Sequence, residues 1–157
     1  MRLSRAVLGV LAAVVVTLLA ACGSPTTDLD AAGVAQKLAA AGLPVGISVT
    51  FDESSDPNKL LGRPGGYTSK VAFTDERASK TAAGAKEGDL SLGGSVEVFT
   101  SADEAEQRAE YIKKIATSSP LFAEYTYVRG PVVIRVSKEL APADAVAYEN
   151  ALGKIVG

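Results

Sequence analysis

No histidine and no tryptophan occur among the 157 residues of this chain, and there is one cysteine. Histidine is the commonest general base and the commonest metal ligand. Its absence excludes a Ser–His–Asp or Cys–His nucleophilic site and a zinc site of the usual Cys/His composition. One cysteine forms no internal disulfide, so packing alone must hold the fold. Charge of either sign is also scarce in net terms. A formal net charge of −2 gives no long-range field suited to nucleic acid or anionic lipid. Nucleic acid is therefore not an expected partner, and the composition implies no cofactor and no metal. With 47% hydrophobic and 22% charged residues, the chain is too apolar for disorder and can form the core of one domain.

The strongest pattern lies at the N-terminus, MRLSRAVLGVLAAVVVTLLAAC. Arg2 and Arg5 form a positive head, and an apolar run follows from Ala6 to Ala21, broken only by Thr17. The run is shorter than the roughly 20 residues of a permanent spanning helix, and the pattern predicts a secretory signal peptide over 1–21. Its end, Leu19-Ala20-Ala21-Cys22 followed by Gly23-Ser24, resembles the lipobox of bacterial lipoproteins at each of its four positions. The resemblance implies a thioether-linked diacylglycerol on Cys22. It also implies cleavage just before Cys22 by signal peptidase II, with Leu19, Ala20 and Ala21 as the recognised residues. Two acyl chains anchor a protein stably where one does so only marginally. The expectation is an exported protein lipid-anchored to the membrane at its outer face. The lipidated cysteine and a flexible tether would occupy 22–28, reaching at most about 20 Å, with one domain over 29–157. The stretches Asp56–Lys70 and Gly93–Ala105 also resemble bacterial envelope lipoproteins with no assigned activity, and they bring no catalytic residues with them.

Periodicity predicts the elements of the mature chain. Leu29–Ala41 is an Ala-rich helix with Val34, Leu38 and Ala41 on one face, stopped by Gly42 and Pro44. Val45–Phe51 alternates with Ile47, Val49 and Phe51 on one side, as a strand does. Tyr67–Phe73 alternates likewise, with Tyr67, Ser69, Val71 and Phe73 opposed to Thr68, Lys70 and Ala72. Thr74–Gly94 is a long polar loop, functional or mobile by its length, and Ser95–Thr100 is a short strand. Ser101 and Glu104 form a capping box for a helix to about Thr117, with Ala105, Ala109, Ile112 and Ala116 on one face. Tyr125–Val128 and Val132–Ser137 are strands around Arg129-Gly130-Pro131, either a hairpin or a bulge. Pro142–Ile155 is a helix with Ala145, Tyr148, Leu152 and Ile155 inward. This order predicts an α+β domain: a mainly antiparallel sheet of four to five strands with about three helices packed on one face.

Each candidate site has a plainer explanation beside it. LLGRPGGYTSK, Leu60–Lys70, suggests a phosphate-binding loop, but such a loop needs its lysine directly after the last glycine and a helix beginning there. Gly62, Pro64, Gly65 and Gly66 instead suit a turn with positive φ. Ser69 and Lys70 suggest a Ser–Lys hydrolase, yet adjacent strand residues point to opposite faces. Asp52, Ser54, Asp56 and Asn58 echo the start of an EF-hand loop, with Pro57 where glycine is needed and Arg63 where the bidentate glutamate should stand. Asp103, Glu104, Glu106 and Glu110 fit dipole pairing on an exposed helix face. Arg63, Tyr67, Tyr125 and Tyr127 are the candidate contacts for a ligand or an envelope protein partner. The expected function is a non-enzymatic binding or protein-interaction module. The alternative is a small His-free hydrolase or transferase using Asp/Glu, Tyr or Lys. A two-lobed solute-capture protein needs far more chain than this.

Overall fold

The computed structural model describes residues 25–157; the leader and the Leu19–Cys22 motif lie outside the described residues. The described chain is an α+β domain built on one antiparallel sheet of five strands, in the order β1-β2-β3-β5-β4. The strands are β1 (Gly46–Thr50), β2 (Ser69–Thr74), β3 (Gly93–Val98), β4 (Glu124–Arg129) and β5 (Val132–Ser137). Four helices accompany them: α1 (Ala31–Ala40), α2 (Glu76–Ser79), α3 (Ala102–Ser118) and α4 (Pro142–Ile155). Among the described residues, no helix is long and apolar enough to cross a membrane.

Local chemistry sets the helix ends. The Asp30 carboxylate accepts from the Gly33 amide at 2.7 Å and caps α1. The Ser101 hydroxyl accepts from the Glu104 amide at 3.3 Å and caps α3, as its sequence predicts. Pro142 starts α4, where its missing N–H costs nothing.

Both faces of the sheet are covered. α1 and α4 lie on one face, where Val34, Leu38, Tyr148 and Leu152 pack on Phe73, Val96, Ile134 and Val136. Phe73 and Tyr148 stack with ring centroids 5.5 Å apart. The Ala31 amide donates to the Ser69 hydroxyl at 2.9 Å and pins α1 to β2. The expectation of helices on one face describes α1 and α4; α3 differs and covers the opposite face. Its Ala105, Ala109 and Ile112 pack with Val133, Phe99, Tyr67 and Leu61. The cause is that the central strands bury both sets of alternating residues, β3 at every position.

Three local differences follow from tertiary contacts. The pairing register shifts between Ile47 and Val49, opposite Phe73 and Ala72. This bulge separates residues that the alternation places together: Phe51 packs with the α3 cluster, while Ile47 is 39% exposed. Tyr67 precedes β2 rather than opening it, and its ring joins the α3 side instead of the Val71 and Phe73 side. Arg129-Gly130-Pro131 is a hairpin, since Arg129 pairs with Val132 across it and Gly130 takes φ +51°. The Thr74–Gly94 connection holds α2 and a short turn of helix at Leu90–Leu92.

The beginning of the described chain is tied down. The Thr26 amide donates to the Gly157 carbonyl at 3.1 Å. Pro25 lies so close to the hairpin that a Cβ on Gly130 would stand 2.3 Å from the Pro25 carbonyl oxygen. Pro25 and Thr26 therefore pack against the domain.

Candidate functional site

The face beneath α3 is unusual for a sheet interior, because each central strand places one charged side chain there. Lys70 on β2 stands opposite Glu97 on β3, and Arg135 on β5 stands opposite Ser95 on β3. Asp56, from the β1–β2 connection, Arg108, from α3, and Glu124, on β4, complete the set. Asp56 and Glu97 are fully buried. Isolated charges in such a place would be very costly, so their pairing is the condition for burial.

The pairing is continuous. Lys70 Nζ lies 3.0 Å from Asp56 Oδ1 and 3.9 Å from Glu97 Oε1. Arg108 grips Glu97 with two nitrogens, Nε to Oε2 at 2.9 Å and Nη2 to Oε1 at 3.2 Å. Arg135 Nη1 is 3.7 Å from the same Oε1. Its Nε and Nη2 bind both oxygens of Glu124, at 2.8 and 2.5 Å. The Tyr67 hydroxyl lies 2.7 Å from both Asp56 oxygens, and the Leu60 amide donates to the same carboxylate at 2.8 Å. With its amide oxygen facing these donors, Asn58 accepts from Lys70 Nζ at 2.9 Å and from Arg108 Nη2 at 3.1 Å. Lys70 also lies 4.8 Å from the centre of the Phe51 ring, a cation–π contact. Lys70, Arg108 and Arg135 thus balance Asp56, Glu97 and Glu124.

The electrostatics follow from this packing. Burial alone would push the Asp56 carboxyl up, but hydrogen bonds from Tyr67 and Leu60 and the Lys70 charge hold it well below the usual carboxylate range. Burial, then the bond to Asp56, pushes the Tyr67 hydroxyl well up. Burial lowers Lys70, with Glu97 and Asp56 working against that shift. Burial opposes the Arg135 charge as well, yet Glu124 outweighs it and the group is raised.

Above this network runs an open groove of about 530 Å³ along α3. Arg108, Arg135, Glu124 and Asn58 line it beside Ile112, Ile115, Tyr111 and Phe122, with Glu104 toward the N-terminal end of α3. Two of the most exposed large hydrophobic residues of the described chain line it, Tyr111 at 57% and Phe122 at 54%, and Leu121, 75% exposed, is the residue before Phe122. Such a concentration marks a recognition surface more often than scattered apolar exposure does.

Of the candidate contacts singled out from sequence, none lines this groove. Arg63 is exposed on an adjoining, smaller hollow of about 250 Å³ that shares Gly65 and Glu104 with the groove and is lined by Tyr67 as well. Tyr67 is fully buried with its hydroxyl on Asp56. Tyr125 and Tyr127 pack on the α1 and α4 side of the sheet. The glycine loop is a pair of turns, with the Arg63 and Gly66 amides bonded to the Leu60 and Arg63 carbonyls. Gly62 and Gly65 take φ +72° and +73°. Ser69 and Lys70 diverge, Ser69 to the Ala31 amide and Lys70 to Asp56. In the acidic run, Asp52 accepts from the amides of Ser54 and Ser55, and Asp56 turns inward.

Sequence reasoning missed Glu97, Arg108, Glu124 and Arg135. A signal was present: each of the strands SKVAFT, GGSVEV and VVIRVS carries a single charge amid apolar or small residues. No protein-family model, curated protein sequence or solved structure matches the chain.

Proposed function

We propose that this chain is a lipid-anchored envelope protein on the outer face of the cytoplasmic membrane, with a domain that is a non-enzymatic binding module. The observation that carries the reading is the α3 groove. It combines a fixed ion-paired floor with clustered exposed apolar side chains, a pairing of orientation and contact area typical of binding sites. The membrane attachment rests on the Leu19–Cys22 motif. Cys22 stands three positions before Pro25 in the sequence, and Pro25 and Thr26 contact the domain, so an anchor at Cys22 lies within about 10 Å of it.

This anchor would also orient the domain. Pro25 lies beside the β4–β5 hairpin and Thr26 beside the C-terminal Gly157, so that end of the sheet stands nearest the lipid. Against the alternative, a small hydrolase or transferase, stands the position of the perturbed groups. Asp56, Tyr67 and Lys70 are buried and none lines the groove, so a substrate there would not meet them.

Intact-mass measurement of the protein purified from membranes tests the anchor. The expected result is a chain beginning at Cys22 with diacylglycerol attached, and release of the Cys22→Ser variant from the membrane. A bare Cys22, or a leader still attached, overturns the anchor. Site-specific photocrosslinkers at position 111 test the groove. Adducts at position 111 and none at position 146 on α4 support it, and equal labelling of both overturns it.

A further inference from the structure

The groove leaves three kinds of recognition unused. Arg108 and Arg135 each spend Nε and Nη2 on carboxylates; Arg108 Nη1 donates no hydrogen bond among the described residues, and Arg135 Nη1 makes only a 3.7 Å approach to Glu97 Oε1. The two guanidinium heads stand side by side, since both approach Glu97 Oε1, at 3.2 and 3.7 Å. One turn along α3, Glu104 Oε2 is buried with no hydrogen-bond partner. Such an oxygen is costly to bury unless a donor reaches it. At the far end, Ile115, Tyr111 and Phe122 offer apolar contact.

These capacities exclude the simpler ligands. A bare anion would satisfy the guanidinium edges and repel Glu104. A bare cation would satisfy Glu104 and leave the Arg108 Nη1 edge without a partner. A wholly polar molecule would leave the exposed rings uncovered. We propose that the groove binds a single-chain zwitterionic amphiphile, with its anionic group on Arg108 and Arg135, its amino group on Glu104 and its apolar chain along Ile115 and Phe122. This rests on the reading of the groove as a binding surface and names what it binds. Charge-assisted bonds from arginine suit an anionic oxygen. The α3 rise from Glu104 to Ile115, about 16 Å, gives room for a headgroup followed by a chain. The volume, about 530 Å³, lies in the range of small-molecule sites, roughly 300–1,000 Å³.

The test uses the full chain in phosphatidylcholine nanodiscs, with three diazirine-tailed probes at equal mole fraction. They are a lysophosphatidylethanolamine, an alkyl phosphate lacking the amine and an alkylamine lacking the acid. The first is expected to crosslink at least tenfold more than either of the others, with adducts between Tyr111 and Phe122. Glu104→Gln should bring its yield down to that of the alkyl phosphate and leave the alkyl phosphate unchanged. Phe122→Asp, at an exposed position, should reduce all three yields. Equal yields from the three probes, adducts elsewhere on the chain, or an unchanged preference in Glu104→Gln overturns the proposal. The mass of Cys22 in the same sample separates the two readings. An unmodified Cys22 with selective labelling removes the anchor alone, whereas a lipidated Cys22 with unselective labelling removes the amphiphile alone.

Discussion

Lys70 and Glu97 face each other across β2 and β3 with their charged atoms 3.9 Å apart, and both are buried from solvent. The pair is held in balance by neighbours on either side, Asp56 beyond Lys70 and the two arginines beyond Glu97. Removing any one charge strands another in a low-dielectric interior, which is why the network behaves as a unit.

Lys70→Met is therefore expected to destabilise the domain by about 3 kcal/mol or more, because Asp56 loses its cation inside the protein. Adding Asp56→Asn should cost less than the two single changes summed, by at least about 1 kcal/mol. Urea unfolding of the four proteins in the cycle measures this. Strict additivity would show that the two side chains do not interact.

Acid sensitivity follows from Asp56 and Asp75, both held below the usual carboxylate range. For each, burial pushes up and hydrogen bonds outweigh it, from Tyr67 and Leu60 in one case and Arg77 and Tyr148 in the other. The unfolded chain takes up a proton at each near pH 3.9, where the folded chain still resists. Their stabilisation is thus complete above about pH 5 and lost as pH falls through 4 and below. Chemical denaturation from pH 7 to 3 should show a plateau and then a steep fall. Asp56→Asn should make that fall shallower, and an unchanged acid slope would contradict the assignment.

The Tyr148 hydroxyl donates to Asp75 Oδ2 at 2.7 Å and joins α4 to the start of α2. Tyr148→Phe keeps the stack on Phe73 and loses only that bond, so about 1–2 kcal/mol of stability should disappear. Asp75 retains Arg77, at 2.6 Å, which limits the loss. Thermal melts of the two proteins decide it, and an unchanged midpoint would mean the bond contributes nothing.

Two glycines should respond in opposite directions to alanine. At Gly94 a Cβ would stand 2.3 Å from the Arg135 carbonyl oxygen and 2.4 Å from the Phe73 ring. Gly94→Ala should cost about 2–3 kcal/mol through forced displacement of β5 or Phe73. At Gly153, inside α4, nothing lies within 4 Å, so Gly153→Ala should add about 0.5–1 kcal/mol through helix propensity. Denaturation midpoints that move in the same direction would refute this comparison.

Most of the elements were legible in the sequence. The α4 bounds coincide with the apolar period and Pro142, the Ser101 cap forms as its residues imply, and the α+β order with an antiparallel sheet is the one observed. The candidate site was legible only in part. Tyr67 is caught in the network, but as a buried support, and Tyr125 and Tyr127 serve the other face of the sheet. Nothing in the run Asp52–Asn58 says that Asp56 alone turns inward to meet Lys70 and Tyr67.

By itself the sequence determined what depends on near neighbours: caps, alternation, turn glycines, and the chemistry denied to a chain without histidine. The tertiary structure alone decided where the charges met. Asp56 reaches Lys70 across 14 residues, Arg108 reaches Glu97 across 11, and Arg77 reaches Asp144 across 67. It also decided that a bulge in β1 turns Phe51 toward α3 and that α3 covers the charged face. Backbone hydrogen bonding and periodicity act over one or two turns of chain. The free energy of burying a charge depends on which partners arrive from elsewhere, and only the closed sheet and its helices bring them there.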